Sequence, residues 1–298
     1  MEFKNVIIAG AAGTVGPHVL KVLRDSPGFN VSILTREDSS SAFPSEVTVR
    51  KTDYSLSSLV SAFTGQDVVV CAVGGEALGE KQKAMIDAAL KAGVKRFIPG
   101  EFGSSTDNPK AVEMVPLFQM KKDTIDYLQS KEKEGMTWTG IICGGFFDWG
   151  VQNGFLGYDL AAHKATIYDT GKQKVCLSTL PLVGKAVAAV LMKPKETANK
   201  FIRVASFNVS QREVVAALEK ASGSKWETTS TTSNEAQKVG KESLQRGDIG
   251  AAFAPLILSA MYSGEGASYG ERLDNNLLGL PKENFEETVK MIVDRNAD

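Results

Sequence analysis

Three features of the sequence predict an α/β protein built on a doubly wound parallel sheet with a smaller C-terminal lobe. Short apolar runs alternate with helix-period stretches as far as about residue 150. A glycine-rich turn joins the first run to the first helical stretch. After residue 150 the alternation loosens into aromatic and glycine-rich segments. The first strand is expected at 6–9, Val6-Ile7-Ile8-Ala9, an unbroken apolar run of the kind that parallel sheets bury on both faces. A helix over 15–24 follows, with apolar residues at three- and four-residue spacing. Further strands are expected at 31–34, 47–51, 67–72, 96–99 and 137–143, separated by helices at 55–63, 79–92 and 117–133. Right-handed crossovers between them bring every strand's C-terminal end to one edge, where a ligand belongs. Beyond residue 150, helices are expected at 182–192, 211–222 and 285–295, and the strand-like run 201–204 can rejoin the sheet. The reading is a first domain over 1–150 and a second lobe over 151–298, with some later segments returning to the first. The Thr/Ser-rich stretch 227–233 and the glycine-containing run 263–270 read as loops, which either cover a pocket or merely connect.

Composition narrows the function. A hydrophobic content of 43% over 298 residues is enough for a full core. With 34 Lys+Arg against 35 Asp+Glu, the net charge of −1 exerts no general pull toward nucleic acid or anionic membranes. The start, Met1-Glu2-Phe3-Lys4-Asn5, runs straight into a strand without a basic segment and apolar signal core, and the stretch 249–263 is too short to span a bilayer. A cytoplasmic protein is expected. Cys71, Cys143 and Cys176 are far apart and read as buried, reduced thiols. With only His18 and His163, a His-rich metal site is excluded, and no metal is expected. His18 reads as a helix-face or core residue, whereas a ligand contact for His163 stays open.

The turn Gly10-Ala11-Ala12-Gly13-Thr14-Val15-Gly16 carries the strongest functional signal. Glycines three apart allow a sharp turn, bring main-chain N–H groups against a pyrophosphate and let the next helix pack closely. That helix points its positive N-terminal end at the phosphates. The motif lies between strand and helix, the context of a Rossmann dinucleotide site. The second half of the signature falls at the end of the next strand, where an acid would bind the ribose 2′-hydroxyl of NAD. This chain has Arg36, which suits the 2′-phosphate of NADPH/NADP+, although Glu37 and Asp38 would partly neutralise it. A solvated strand-end arginine is the alternative.

These residues, with Lys95-Arg96-Phe97-Ile98-Pro99-Gly100-Glu101-Phe102-Gly103 and Phe118-Gln119-Met120-Lys121 following in order, give a chain that resembles the isoflavone-reductase-like proteins. Those form part of the NmrA-like branch of atypical short-chain dehydrogenases/reductases. Plant members usually carry serine where this chain has Gly100, and Asn-Cys-Phe where it has Gly144-Gly145-Phe146; both departures bear on substrate more than cofactor. The resemblance implies that Lys121 is the catalytic lysine. Its position agrees, because a residue about one turn into the helix after the fifth strand can face the nicotinamide, where partial desolvation and a developing positive charge lower an ammonium pKa. Paired lysines also often form a solvated helix face. A rival is Tyr127-x-x-x-Lys131, but it starts about 13 Å further along the helix than Phe118.

The remaining cofactor contacts are expected from strand ends. They are Thr14 and Val15 in the turn, Asp53 and Tyr54 after the third strand, and Ala72, Val73 and Gly74 after the fourth. Glu101 and Phe102 follow the fifth strand, and Gly144 and Phe146 the sixth. Phe102, Phe147 and Phe155 are expected to meet the substrate, with core packing as the alternative for the aromatic cluster. The function expected is an NADPH-dependent oxidoreductase of secondary metabolism, acting on a small aromatic or phenolic substrate with Lys121 as proton donor or acceptor. The alternatives are a non-catalytic NADP redox sensor with a protein partner, and epimerase or dehydratase chemistry with a retained cofactor.

Overall fold

The computed structural model describes residues 2–266 and 272–297. Among them, the main sheet has seven parallel strands: β1 (Asn5–Ala9), β2 (Asn30–Arg36), β3 (Thr48–Thr52), β4 (Val68–Cys71), β5 (Arg96–Ile98), β6 (Thr137–Ile142) and β11 (Lys200–Arg203). Their spatial order is β3-β2-β1-β4-β5-β6-β11, so the direction of winding reverses between β1 and β4. This is the doubly wound Rossmann arrangement, and the reversal opens a crevice at the strands' C-terminal ends.

Alternation along each strand builds the two layers. Val6 and Ile8 of β1 and Val68 and Val70 of β4 face one core, with α1 (Gly16–Asp25) and α7 (Leu180–Met192). Ile7, Ala9, Val69 and Cys71 face the other, under α2 (Leu56–Phe63), α3 (Glu80–Lys91) and α5 (Gln119–Ser130). Both α1 and α7 are packed against the sheet, although they come from opposite halves of the chain. The early elements follow the expected pattern to within a few residues. The helix expected at 117–133 is α5, flanked by 3-10 turns at Pro116–Phe118 and Glu132–Glu134. The run expected at 201–204 does join the sheet, where Phe201 pairs with Gly140 and Ile202 with Ile141.

The second core gathers α6 (Phe147–Gln152), α8 (Gln211–Ser222), α10 (Ile249–Tyr262) and α12 (Phe285–Ala297) around two small sheets. One is ordered β12-β10-β7, from Phe207–Ser210, Lys174–Ser178 and Gly145–Phe146. The other is β13-β9-β8, from Glu227–Thr231, Lys164–Tyr168 and Tyr158–Asp159. Two helices, α9 (Ser233–Gln245) and α10, form a hairpin against α4 (Pro109–Met114), and α11 (Asn275–Leu278) precedes α12.

The stretch 227–233 is not a loop. β13 pairs in parallel with β9, and Thr232 caps α9 by accepting from the Glu235 N–H. Its threonines suit an edge strand, but they lie mostly in solvent and give no apolar alternation to read. The expected loop 263–270 begins after α10, and its residues 267–270 lie outside the described residues. No helix among the described residues is long and apolar enough to cross a membrane.

Candidate active site

The glycine turn is built for close approach. Gly10 has φ +83°, and a Cβ there would lie 2.6 Å from the Ala72 carbonyl oxygen; one on Gly16 would lie 2.2 Å from that of Gly10. Both positions therefore exclude a side chain. Gly13 N–H donates to the Gly10 carbonyl at 3.0 Å, and Ala72 N–H to that of Ala9 at 2.8 Å, tying the β1 turn to the exit of β4. At the start of α1, Thr14 is exposed and Val15 caps the helix without a side-chain acceptor. No acidic residue occupies its first turn. The first N–H groups are thus uncompensated by side chains, the condition that suits an anion. Ala72 and Val73 are half-buried beside this turn, while Gly74 is exposed with nothing within 4 Å of a Cβ position.

At the end of β2 the Arg36 side chain is 65% exposed, its Nε lying 3.5 Å from Asp38 Oδ1. An exposed pair at that distance is weak, so Asp38 competes for the guanidinium without consuming it. Glu37 engages through its main chain, its N–H donating to the Thr52 carbonyl. Tyr54 is half-buried with Lys81 Nζ 5.8 Å from its ring centre; burial raises its phenol pKa and the Arg36 charge opposes that. The Asp53 carboxylate turns to the start of α2, accepts the Ser55 N–H at 2.8 Å, and is held below the usual aspartate range by Ser55.

A second cluster forms where β5 and β6 end. The turn Pro116–Phe118 delivers the chain into α5 so that Lys121, in its first turn, reaches back to the sheet and donates to the Glu101 carbonyl. Its Nζ also lies 5.8 Å from the Phe118 ring centre and 3.6 Å from where a Cβ on Gly103 would be. Burial pulls the ammonium pKa below the ordinary lysine value, with the Glu101 charge opposing. The Glu101 side chain is fully enclosed and accepts the Thr106 hydroxyl at 2.6 Å. Burial raises its carboxyl pKa, against the pull of Lys121 and Thr106. Burial also pushes the Cys143 thiol up to about 12. The Gly103 carbonyl accepts from both Cys143 and Gly144 N–H groups at 3.0 Å, locking the two strand exits together.

The aromatic residues divide. Phe102 is 8% exposed and belongs to the core under α1. Phe147, expected at the substrate, is instead sealed in the second core, 5.2 Å from Phe207 and 5.7 Å from Phe285 between ring centres. Its two partners arrive from far along the chain, so nothing near position 147 announces the burial. Phe146 is half-buried, and Phe155 stands half-buried 5.4 Å from Trp149. Tyr127 turns to α3, where its hydroxyl donates to Asp87; that bond, with burial, raises its pKa, the reverse of what a proton-donating tyrosine needs. Lys131 is engaged with Glu134 at 2.9 Å. His18 lies half-buried on α1, lowered by burial with Asp148 opposing; His163 sits in a turn, its ring 5.6 Å from that of Trp226.

Several residues of the cluster were not expected. Gln82 is buried, accepts the Gly100 N–H at 2.7 Å, and fixes the exit of β5 from α3. Thr106, Phe118 and Cys143 are likewise brought in by the fold, and among these only Phe118 lay in a motif. Elsewhere, an open cavity of about 570 Å³ in the second lobe is lined by Tyr158, Asp159, Lys164 and Thr229 among others, away from Lys121.

The model of the NmrA-like family matches residues 2–243. Oxidoreductase aprR of Aspergillus flavus is 37% identical over 97% of this chain and 98% of its own length. An isoflavone reductase of Medicago sativa is 32% identical over 62% of this chain and 58% of its own length. The solved structure of AtPrR2 with NADP+ and (+)pinoresinol superposes with a TM-score of 0.78 at 21% identity, over 98% of this chain and 99% of that one. Match to the family model, similarity to aprR over nearly the whole chain, and a shared fold agree: the chain belongs to the NmrA-like family, among its oxidoreductases.

Proposed function

We propose that the protein is an NADPH-dependent reductase that delivers hydride to an electron-poor carbon of an aromatic or phenolic small molecule, with Lys121 exchanging the accompanying proton. The observation that carries this reading is the place of Lys121, whose ammonium is partly buried on the Glu101 carbonyl at the same sheet edge as the glycine turn. A lysine with a lowered pKa gives up its proton more readily than a solvated one.

The residues present suit the cofactor: Gly16 lets α1 start directly against the backbone of Gly10 and Ala11, where no Cβ fits, and Arg36 presents an exposed cation at the end of β2. When bound, NADPH supplies the hydride. The turn of Gly10, Gly13, Thr14, Val15 and Gly16 binds pyrophosphate through its main chain and the start of α1. Arg36 holds the 2′-phosphate, Asp53 and Tyr54 border the adenine, and Ala72, Val73 and Gly74 leave room for the backbone to approach. Glu101, Gly144 and Phe146 edge the nicotinamide. Phe155 contacts the substrate. The names of the relatives support the reaction class, and AtPrR2, which shares the fold, holds NADP+ together with an aromatic compound. This reading assigns residues 1–150 mainly to the cofactor and 151–298 mainly to the substrate. It also puts the protein in the cytoplasm, where its three buried cysteine thiols stay reduced.

The test is NADPH consumption by purified protein with a panel of aromatic enones, isoflavonoids, quinones and lignan-like ethers, run beside Lys121→Ala with NADPH binding measured in both. Turnover should fall on the order of 10²–10⁴-fold in the variant while binding persists. Turnover that survives the substitution would remove Lys121 from the chemistry. Tight NADPH binding without consumption across the panel would favour a redox sensor acting on a protein partner.

A further inference from the structure

Phe253 is 46% exposed, the one aromatic ring among the large apolar side chains left in solvent in the described residues. Its helix, α10, explains where that ring points. Ala252, Leu256 and Ala260 form a buried stripe against Met114, Val115 and Phe118, and Phe118 is the residue whose ring lies beside the Lys121 ammonium. Position 253 is about 100° round the helix from Ala252, on the neighbouring face. There its ring lies 6.2 Å from Phe155, at an interplanar angle of 51°, and Phe155 continues the row to Trp149 at 5.4 Å. One helix thus packs on Phe118 with one face and on the next carries Phe253, the exposed end of a row whose other members, Phe155 and Trp149, are half-buried. An exposed phenyl in contact with other rings is a surface that a further flat ring would cover, gaining both apolar burial and ring contact.

We infer that Phe253 is a specificity-determining residue whose ring, continuing the row from Trp149 and Phe155, receives a second aromatic ring of the substrate, remote from the carbon that takes hydride. This rests on the reductase reading above and deepens it. Phe253 extends the row outward from Phe155, which the reading above puts in contact with the substrate, so a substrate that covers both must be longer than one ring. Specificity would then come from the remote ring, and the reaction from the end beside Lys121.

The test compares wild type with Phe253→Ala and Phe253→Tyr on two-ring members of the panel, such as an isoflavone, each paired with its counterpart lacking the remote ring, such as the chromone. Thermal melting and NADPH affinity check folding. Because Phe253 is exposed, its truncation leaves no internal cavity. Phe253→Ala should lower the kcat/KM ratio of two-ring over one-ring substrate about tenfold, mainly through KM, and Phe253→Tyr should restore it. A ratio unchanged in Phe253→Ala, or a ratio that Phe253→Tyr fails to restore, overturns this inference and leaves the reductase reading standing. A wild type that binds NADPH but oxidises it with no member of the panel overturns both.

Discussion

Lys121 and Glu101 hold each other's protonation in opposition. Burial disfavours the charge on each, and each charge favours the other. Glu101→Gln keeps an acceptor for the Thr106 hydroxyl and nearly the same volume while removing the negative charge. Lys121 then loses an influence that raises its pKa, so the pKa falls further. With the ammonium as proton donor, activity is present below that pKa and lost above it. The basic limb of the kcat–pH profile is therefore expected at lower pH in Glu101→Gln than in wild type; a limb that stays put or moves upward would contradict the pairing. At this scale the sequence was partly legible. The position of Lys121 at the sheet edge could be read because it follows the fifth strand within a motif. Thr106, Gln82 and Cys143 could not, because a buried hydroxyl, amide or thiol leaves no periodic trace and meets Glu101, Gly100 or Lys121 only once the strands are aligned. Phe147 failed for the same reason in reverse, since its partners Phe207 and Phe285 are distant in sequence.

Helices α1 and α7 come within van der Waals range at Gly184, where a Cβ would lie 2.5 Å from the His18 carbonyl oxygen. Two effects compete in Gly184→Ala. Alanine improves helix propensity by about 1 kcal/mol. Forcing backbone apart in a packed interface costs about 1–3 kcal/mol. The contact is with backbone and not with a pliable side chain, so the second effect should win. Urea unfolding is expected to show a net loss of up to about 2 kcal/mol; a gain would mean that α1 shifts freely, and the glycine turn with it. Elements with regular patterns were legible: β1 to β6 and α1, α2 and α3 lie within one or two residues of expectation. The misses have physical causes. β13 is an exposed edge whose side chains follow solvent on both faces, and α10 carries Pro255 in its interior, which reads as a breaker. Neither α9 nor α10 was read as a helix. The stripe Ala252, Leu256 and Ala260 has meaning only against α4 and Phe118.

Arg96 joins distant parts of the whole molecule. It is 1% exposed and donates from Nε to Thr137 Oγ1 at 2.6 Å, from Nη1 to Thr139 Oγ1 at 2.8 Å and Thr197 Oγ1 at 3.2 Å, and from Nη2 to the Pro194 carbonyl at 2.7 Å. Burial brings its pKa down to about 10. Arg96→Met fills similar space but leaves these oxygens without their charged donor, so a loss of about 3 kcal/mol is expected from urea unfolding. A neutral result would mean that the threonines and the connection at 194–197 find other partners. The doubly wound class was legible because strand and helix periods alternate so clearly; the two small sheets were not, since their short strands acquire meaning only when paired. The late strand β11 has one further consequence. During synthesis the hydrogen-bonding edge of β6 stays unpaired until residues 200–203 arrive, about sixty residues later. At 5–20 residues per second that is about 3–12 s of nascent chain with an open, apolar sheet edge. This interval, more than the finished protein, is when the polypeptide is most in need of a chaperone.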